Sequence, residues 1–216
     1  MVDPTRRRWD KWFLDEKSYQ LDINYTPWLD QFIDLLESLK PSRALDLGCG
    51  RGFDSQYLRG LGLNTFTSDY SWGALCSTEK TLPSAERIQF DMRDGFPFQR
   101  GFFGVIVANL SLHYFSLDKT IEIVHEIHQA LMPRGWLIGR VNSTSDHGYQ
   151  SVKDDPNAQI EEDYYFYHDI PRRYFREPAI RQFFSSGWKI VSLEERVLAR
   201  YEKPKTLWEF VVQRVK

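Results

Sequence analysis

Ala44-Leu45-Asp46-Leu47-Gly48-Cys49-Gly50-Arg51-Gly52 is the stretch that decides the fold. It ends a short apolar strand, Arg43–Leu47, and opens a helix over Phe53–Leu61 that Gly60 and Gly62 stop. Glycines at 48, 50 and 52 let the backbone turn tightly and approach a ligand, and the helix behind them points free N–H groups at the turn. A dinucleotide site would read G-x-G-x-x-G, whereas this loop reads G-x-G-x-G with Phe53 at that pattern's third glycine. Asp46 inside the strand would oppose a pyrophosphate and suits a cationic ligand. The structural alternative is a plain strand-to-helix turn.

Outward from the loop, strand and helix alternate. Before it, Trp28, Leu29, Phe32, Ile33, Leu35, Leu36 and Leu39 fall at helical spacing, so Tyr25–Leu39 reads as a helix ended by Pro41. After it come a strand at Asn64–Ser68, a helix at Trp72–Leu82, a strand at Arg87–Phe90 and a nearly all-apolar strand at Gly104–Asn109. An amphipathic helix at Leu117–Met132 leads through Pro133-Arg134-Gly135 to a strand at Trp136–Asn142. Ser143–Pro171 shows little periodicity. A helix at Pro178–Phe184 precedes strands at Trp188–Glu195 and Thr206–Val215, whose short connection Arg196–Lys205 has no room for a crossover helix and demands an antiparallel hairpin. The order predicts an α/β protein with helices on both faces of a mostly parallel sheet.

The 216 residues are 42% hydrophobic and carry a net charge of −2, which suits one core-bearing domain with no basic field for nucleic acid. Arg6-Arg7-Arg8 reads as a solvated terminus, with an anion contact as the alternative. Two cysteines, Cys49 and Cys76, form neither a disulfide framework nor a zinc site, and no metal is expected. The N-terminal residues lack the apolar region of a signal peptide, and no apolar run reaches the roughly 18 residues of a membrane span. The expectation is a cytoplasmic protein, monomeric or homodimeric, that avoids membranes.

A second acid, Asp69, closes the strand after the glycine helix. A carboxylate about 20 residues past such glycines accepts from both hydroxyls of a ribose; its structural alternative is a helix N-cap.

The segment 44–52 resembles motif I of the class I S-adenosylmethionine-dependent methyltransferases, and the likeness extends over roughly residues 25–143 and more loosely beyond. The resemblance implies a Rossmann-like seven-stranded sheet with one antiparallel strand near the C-terminus. It implies S-adenosylmethionine as cofactor, bound by Asp46, Gly48, Cys49, Gly50, Gly52, Asp69, Tyr70, Asp91, Met92 and Asn109. In that family the loop backbone lies along the methionine part and Asp46 holds its ammonium, usually through water. Asp69 takes the ribose, Asp91 the adenine amino group with the Met92 N–H on a ring nitrogen, and Asn109 the amino-acid part. Asp94 competes with Asp91, whose alternative is a turn carboxylate. The family often starts the fourth strand with an acid where this chain has Gly104, far from the site.

A sulfonium methyl is already electrophilic, so the protein must mainly align a nucleophile and exclude water. Asn109-Leu110-Ser111-Leu112 lacks the proline motif of amino methylation on adenine or glutamine, and neither cysteine is placed for cytosine chemistry. A small-molecule acceptor is therefore expected. His113 is the candidate base, and Arg140 could meet an anionic acceptor or pair with a lid carboxylate. Residues 1–40 should form a helical cap and 143–176 a lid insertion within a single domain. Trp9, Trp12, Phe13, Tyr19 and Tyr25 on one side, and Tyr164 to His168 with Arg172 to Arg176 on the other, would shield the methyl group. Arg8 to Phe13 gives a fainter likeness to the tellurite- and thiopurine-type branch. The competing readings are a methyltransferase acting on protein or RNA, a non-catalytic interaction module, and a nicotinamide oxidoreductase.

Overall fold

The structure is a computed structural model that describes residues 3–18, 25–199 and 203–215. Its strands are β1 (Arg43–Leu47), β2 (Asn64–Asp69), β3 (Glu86–Gln89), β4 (Phe103–Asn109), β5 (Leu131–Asn142), β6 (Gln159–Glu161), β7 (Tyr164–Tyr167), β8 (Ile170–Arg173), β9 (Trp188–Leu198) and β10 (Lys205–Arg214). Seven of them form one sheet in the order β3-β2-β1-β4-β5-β10-β9. The strands β2 and β4 run parallel to β1, and β3 runs parallel to β2. β10 runs antiparallel to both of its neighbours, β5 and β9. This is the mostly parallel sheet with a closing hairpin that the strand–helix alternation predicts.

The chain packs as two compact units, Met1–Val107 with Ala130–Met132, and Ala108–Gln129 with Pro133–Lys216. In the first, Leu45, Leu47, Val105, Ile106 and Val107 are fully buried, as befits strands covered on both faces. Helix α1 (Pro4–Leu14) starts with Asp3, whose side chain accepts from the Thr5 N–H, and Pro4 at its first turn. The expected helix over 25–39 is split into a 3-10 turn at Trp28–Phe32 and α2 (Ile33–Ser38). Pro27 drives the residue before it out of helical conformation, so winding starts only after it. Helix α3 (Phe53–Gly60) follows the glycines, and α4 (Trp72–Ser77) is shorter than its pattern suggests. The hydroxyls of Ser77 and Thr78 bond the carbonyls of Ala74 and Leu75, competition that weakens a helix end. A Cβ on Gly73 would lie 2.5 Å from the Asp10 carbonyl, so α1 and α4 approach almost backbone to backbone.

In the second unit, α5 (Leu117–Ala130) precedes β5. The stretch 143–176, aperiodic in sequence, folds into α6 (His147–Val152) and the antiparallel sheet β6-β7-β8. Strands of three or four residues are too short to display a period of two. His168 and Asp169, at φ 49° and 57°, make the two-residue turn between β7 and β8, the left-handed pair of a type I′ hairpin. Tyr149, Ala158, Tyr165 and Tyr174 form a small core of their own. Helix α7 (Glu177–Phe183) leads to the β9–β10 hairpin.

Candidate functional site

The glycine loop leaves β1 with Gly48, Gly50 and Gly52 all at positive φ, 77°, 53° and 77°. Two positions require glycine on a second ground. A Cβ on Gly50 would press the Phe13 ring at 3.2 Å, and one on Gly52 would meet Thr78 at 2.9 Å. The N–H groups of Gly48 and Cys49 both donate to the Ser68 carbonyl, at 2.9 and 2.8 Å, which fixes the turn against the end of β2. Burial, then the charges of Asp69 and Asp46, push the Cys49 thiol well above its ordinary range. It is a neutral packing group, unsuited to nucleophilic attack.

Asp46 is 1% exposed. It accepts from Ser55 Oγ at 2.6 Å, and Ser55 in turn accepts from Thr67 Oγ1 at 3.0 Å. Burial first, then the charge of Asp54, raises its carboxyl far above the usual range, against the Ser55 bond. A cation beside it would restore the charge that burial withholds. Asp54, also buried, accepts from the Trp28 indole at 2.8 Å and from the Tyr25 hydroxyl.

Asp69 is half-buried at the end of β2. Its Oδ2 accepts the Gly50 N–H at 3.0 Å and its Oδ1 the Ser71 N–H at 2.8 Å. Burial lifts its pKa to about 6, opposed by those backbone donors. Each oxygen keeps a lone pair, so the carboxylate can still face two hydroxyls. The N-cap of α4 is Ser71, which accepts the Ala74 N–H, so Asp69 is free of that duty.

Asp91 caps the 3-10 turn Met92–Asp94 and is gripped by Arg93 through both oxygens, at 2.6 to 3.0 Å. Arg93 also reaches Asp3 at 2.8 Å, and the Tyr70 hydroxyl donates to the same Asp3 oxygen at 2.8 Å. Arg93 and Tyr70 together lower Asp3 to about 2. The start of α1 is thus pinned beside Asp91 and Tyr70, and Met92 is buried beneath.

The N-terminal aromatics take defined places. Phe13 packs on Gly50 and Trp9 stacks on Phe13 at 5.9 Å. Arg51 donates to the Phe13 carbonyl at 3.0 Å and to Ser18 at 2.5 Å. Tyr25 stacks on Phe53 at 5.1 Å, while Trp12 is exposed. Tyr19 lies outside the described residues.

The other candidates belong to the second unit. Asn109 ends β4, and Leu110 follows at φ 57°, a backbone strained for leucine, donating its N–H to the Arg140 carbonyl at 3.0 Å. Arg140 is buried with its guanidinium on Glu209, at 2.8 and 2.6 Å, directly across the β5–β10 ladder. That partner is a strand carboxylate where the sequence suggested one from the lid. His113 is 1% exposed, its Nδ1 has no partner, and the Tyr114 ring lies 4.3 Å away. Burial, then the charges of Lys205 and Arg172, hold its proton affinity well below the ordinary imidazole value. It is a neutral acceptor at physiological pH.

Sequence reasoning missed Asp54, Ser55 and Thr67 in the first unit. The signal for Ser55 was its place in the first turn of α3, on the side that faces β1. It also missed Asn142, buried at the end of β5 with both amide atoms unpartnered, and the unpartnered Nε of Arg172. Each such atom costs about 1–3 kcal/mol, so groups of them mark places where a polar ligand has something to gain. Among the described residues no three His, Cys, Asp or Glu side chains converge to hold a metal ion. Among the described residues no helix is long and apolar enough to cross a membrane.

Residues 45–139 match a family described as a methyltransferase domain. The human protein named arginine-hydroxylase NDUFAF5, mitochondrial, is 36% identical over 98 residues. That match covers 44% of this chain and only 27% of the relative, so the likeness spans about a quarter of that protein. Among solved structures, a SAM-dependent methyltransferase from Methanosarcina mazei superposes with a TM-score of 0.73 at 17% identity, over 89% of this chain and 99% of that one. The Burkholderia thailandensis 1,6-didemethyltoxoflavin-N1-methyltransferase, bound to 1,6-didemethyltoxoflavin and S-adenosylhomocysteine, gives 0.70 at 16% identity, over 98% and 88%. With the reversed β10 and the glycine turn, the chain has the fold of these S-adenosylmethionine-dependent methyltransferase structures, and its residues 45–139 are similar to the methyltransferase domain family.

Proposed function

We propose that this protein transfers a methyl group from S-adenosylmethionine to a small-molecule acceptor. One observation carries the reading: the glycine loop is lined by carboxylates, Asp46 held up by burial and Asp69 with a lone pair open on each oxygen. Such an acceptor set disfavours a pyrophosphate and fits a ligand that combines a cation with a vicinal diol. The Burkholderia relative, with its small heterocycle and S-adenosylhomocysteine, supports both cofactor and acceptor class.

The cofactor supplies an electrophilic methyl on a positively charged sulfur. The chain does the rest. Asp46 faces the ammonium and regains its charge, with Ser55 and Thr67 holding its second oxygen in place. Asp69 orients the ribose, and Gly48, Cys49, Gly50 and Gly52 present backbone along the methionine part. Asp91 turns from Arg93 toward the adenine amino group, beside Tyr70 and the Met92 N–H. Asn109 positions the amino-acid part. His113, neutral because it is buried near two cations, takes the acceptor's proton. Arg140, held by Glu209, keeps the end of β5 in register.

We infer that the chain works as one domain in the cytoplasm, with α1 as a cap and 143–176 as a lid that excludes water. Limited proteolysis checks the lid: cleavage within 143–167 slows when S-adenosylhomocysteine is present. Equal rates remove it. The function itself is tested by incubating purified protein with methyl-labelled S-adenosylmethionine and small-molecule extracts. Label passing into small products supports the reading, and label only in protein or RNA overturns it. A second reading, hydroxylation of an arginine side chain, draws on the named human relative. Mass spectrometry of the product distinguishes an added methyl from an added oxygen.

A further inference from the structure

We propose that the acceptor carries a carboxylate, bound in the second unit at a corner made by His113, Asn142 and Arg172. The inference rests on the methyl-transfer reading for the ligand's role as acceptor, and on the second unit alone for its chemistry.

One short extended stretch assembles the corner. The Arg173 N–H donates to the His113 carbonyl at 2.7 Å, and the Phe175 N–H donates to the Asn142 carbonyl at 2.8 Å. Two residues of extended backbone span about 7 Å, so His113 and Asn142 flank the same segment, and Arg172 immediately precedes it. His113 and Asn142 are each 1% exposed. His113 Nδ1, Asn142 Nδ2 and Oδ1, and Arg172 Nε are all buried without hydrogen-bond partners. A folded chain rarely leaves that many polar atoms unmatched in neighbouring residues.

The atoms specify their complement. The Arg172 Nε–H and the Asn142 Nδ2–H are donors, and donors paired with a guanidinium suit a carboxylate. The Arg172 guanidinium lies over the Tyr167 ring at 5.1 Å, which occupies its face and leaves its in-plane N–H for a ligand. Asn142 Oδ1 and the neutral His113 ring are acceptors and call for an O–H or N–H on the same ligand. Lys205, whose charge is felt at His113, adds to the same field. A small hydroxy acid or amino acid meets these requirements, and its hydroxyl or amine is then the group placed at His113.

Matched probes test the charge itself. Salicylate and salicylamide, mandelate and mandelamide, and phenylalanine and phenylalaninamide are titrated by calorimetry into the full chain saturated with S-adenosylhomocysteine. The expected result is at least one acid binding about tenfold or more tighter than its amide. Arg172→Gln should reduce that preference to about twofold or less without changing S-adenosylhomocysteine affinity, and Arg172→Lys should restore part of it. Equal binding of acid and amide, a preference that survives Arg172→Gln, or no binding by any pair overturns the proposal. S-adenosylhomocysteine is titrated alone first. Its failure to bind the unaltered chain sinks the methyl-transfer reading and this inference with it, and is told apart because it precedes any acid.

Discussion

The glycine turn of the first unit and the His113 corner of the second are built on opposite plans. Around the turn every carboxylate is already engaged: Asp46 by Ser55, Asp54 by Trp28, Asp69 by the Gly50 and Ser71 N–H groups, Asp91 by Arg93. In the corner His113, Asn142 and Arg172 bury polar atoms that the protein does not match. A site whose acceptors are internally held keeps its shape before ligand arrives and selects by charge and geometry. A site with unmatched atoms owes its polar partners to the ligand. The contrast fits a constant cofactor on one side and a variable acceptor on the other.

The largest effect expected from breaking this contrast is on turnover. His113→Ala should lower kcat by about 100-fold or more, the contribution of a positioned base, while S-adenosylhomocysteine affinity stays unchanged. A comparable loss of cofactor affinity would place His113 on the wrong side of the division. Next, Asp69→Ala should weaken S-adenosylhomocysteine by about 2 kcal/mol, since it removes hydrogen bonds to a charged group, with little change in acceptor KM. An unchanged calorimetric affinity in the folded variant would take Asp69 out of the site.

The two regions were also unequally legible. The turn is contiguous, and its strand, glycines and helix occupy neighbouring positions, so Asp46, Gly48, Gly50, Gly52 and Asp69 could be named from their spacing. The reversed β10 was legible too, because no crossover helix fits between it and β9. The corner joins residues 113, 142 and 172, and Arg172 comes from a three-stranded sheet whose strands are too short to carry a periodic signal. His113 stood out only because it follows β4, while Asn142 was read as the end of a strand and Arg172 as part of the lid. Asp54 was hidden differently, as an unremarkable helix-start acid whose indole and phenol partners come from a distant stretch.

A smaller effect concerns the cap that closes the first region. Gly73→Ala should force α1 from α4, because its Cβ would lie 2.5 Å from the Asp10 carbonyl. Overpacking of this kind costs about 1–3 kcal/mol, read as a lower urea midpoint. A midpoint equal to wild type would show that α1 is not held by this contact.

The smallest is a pH dependence. Asp69 titrates at about 6 in the fold, above its ordinary value, and Asp46 shifts the same way. A raised carboxyl contributes stability that is fully present below the unfolded pKa and is lost as pH rises through the folded one. The ligand-free protein should therefore lose stability between about pH 4 and 6 by this linkage. Ligand hydroxyls need the ionised Asp69, so S-adenosylhomocysteine affinity should rise about tenfold from pH 5 to pH 7, and Asp69→Asn should flatten the rise. A flat profile in the unaltered protein would contradict the assignment.

The central claim is that the acid-lined turn selects a ligand joining an ammonium to a ribose diol, as S-adenosylmethionine and S-adenosylhomocysteine do, over a dinucleotide. Calorimetric titration of the purified protein with S-adenosylhomocysteine and, separately, with NAD tests it most directly. The account predicts saturable binding of S-adenosylhomocysteine at one site per chain, weakened by about 2 kcal/mol in Asp69→Ala, and no heat from NAD. Binding of NAD, or of neither ligand by a folded protein, would contradict it.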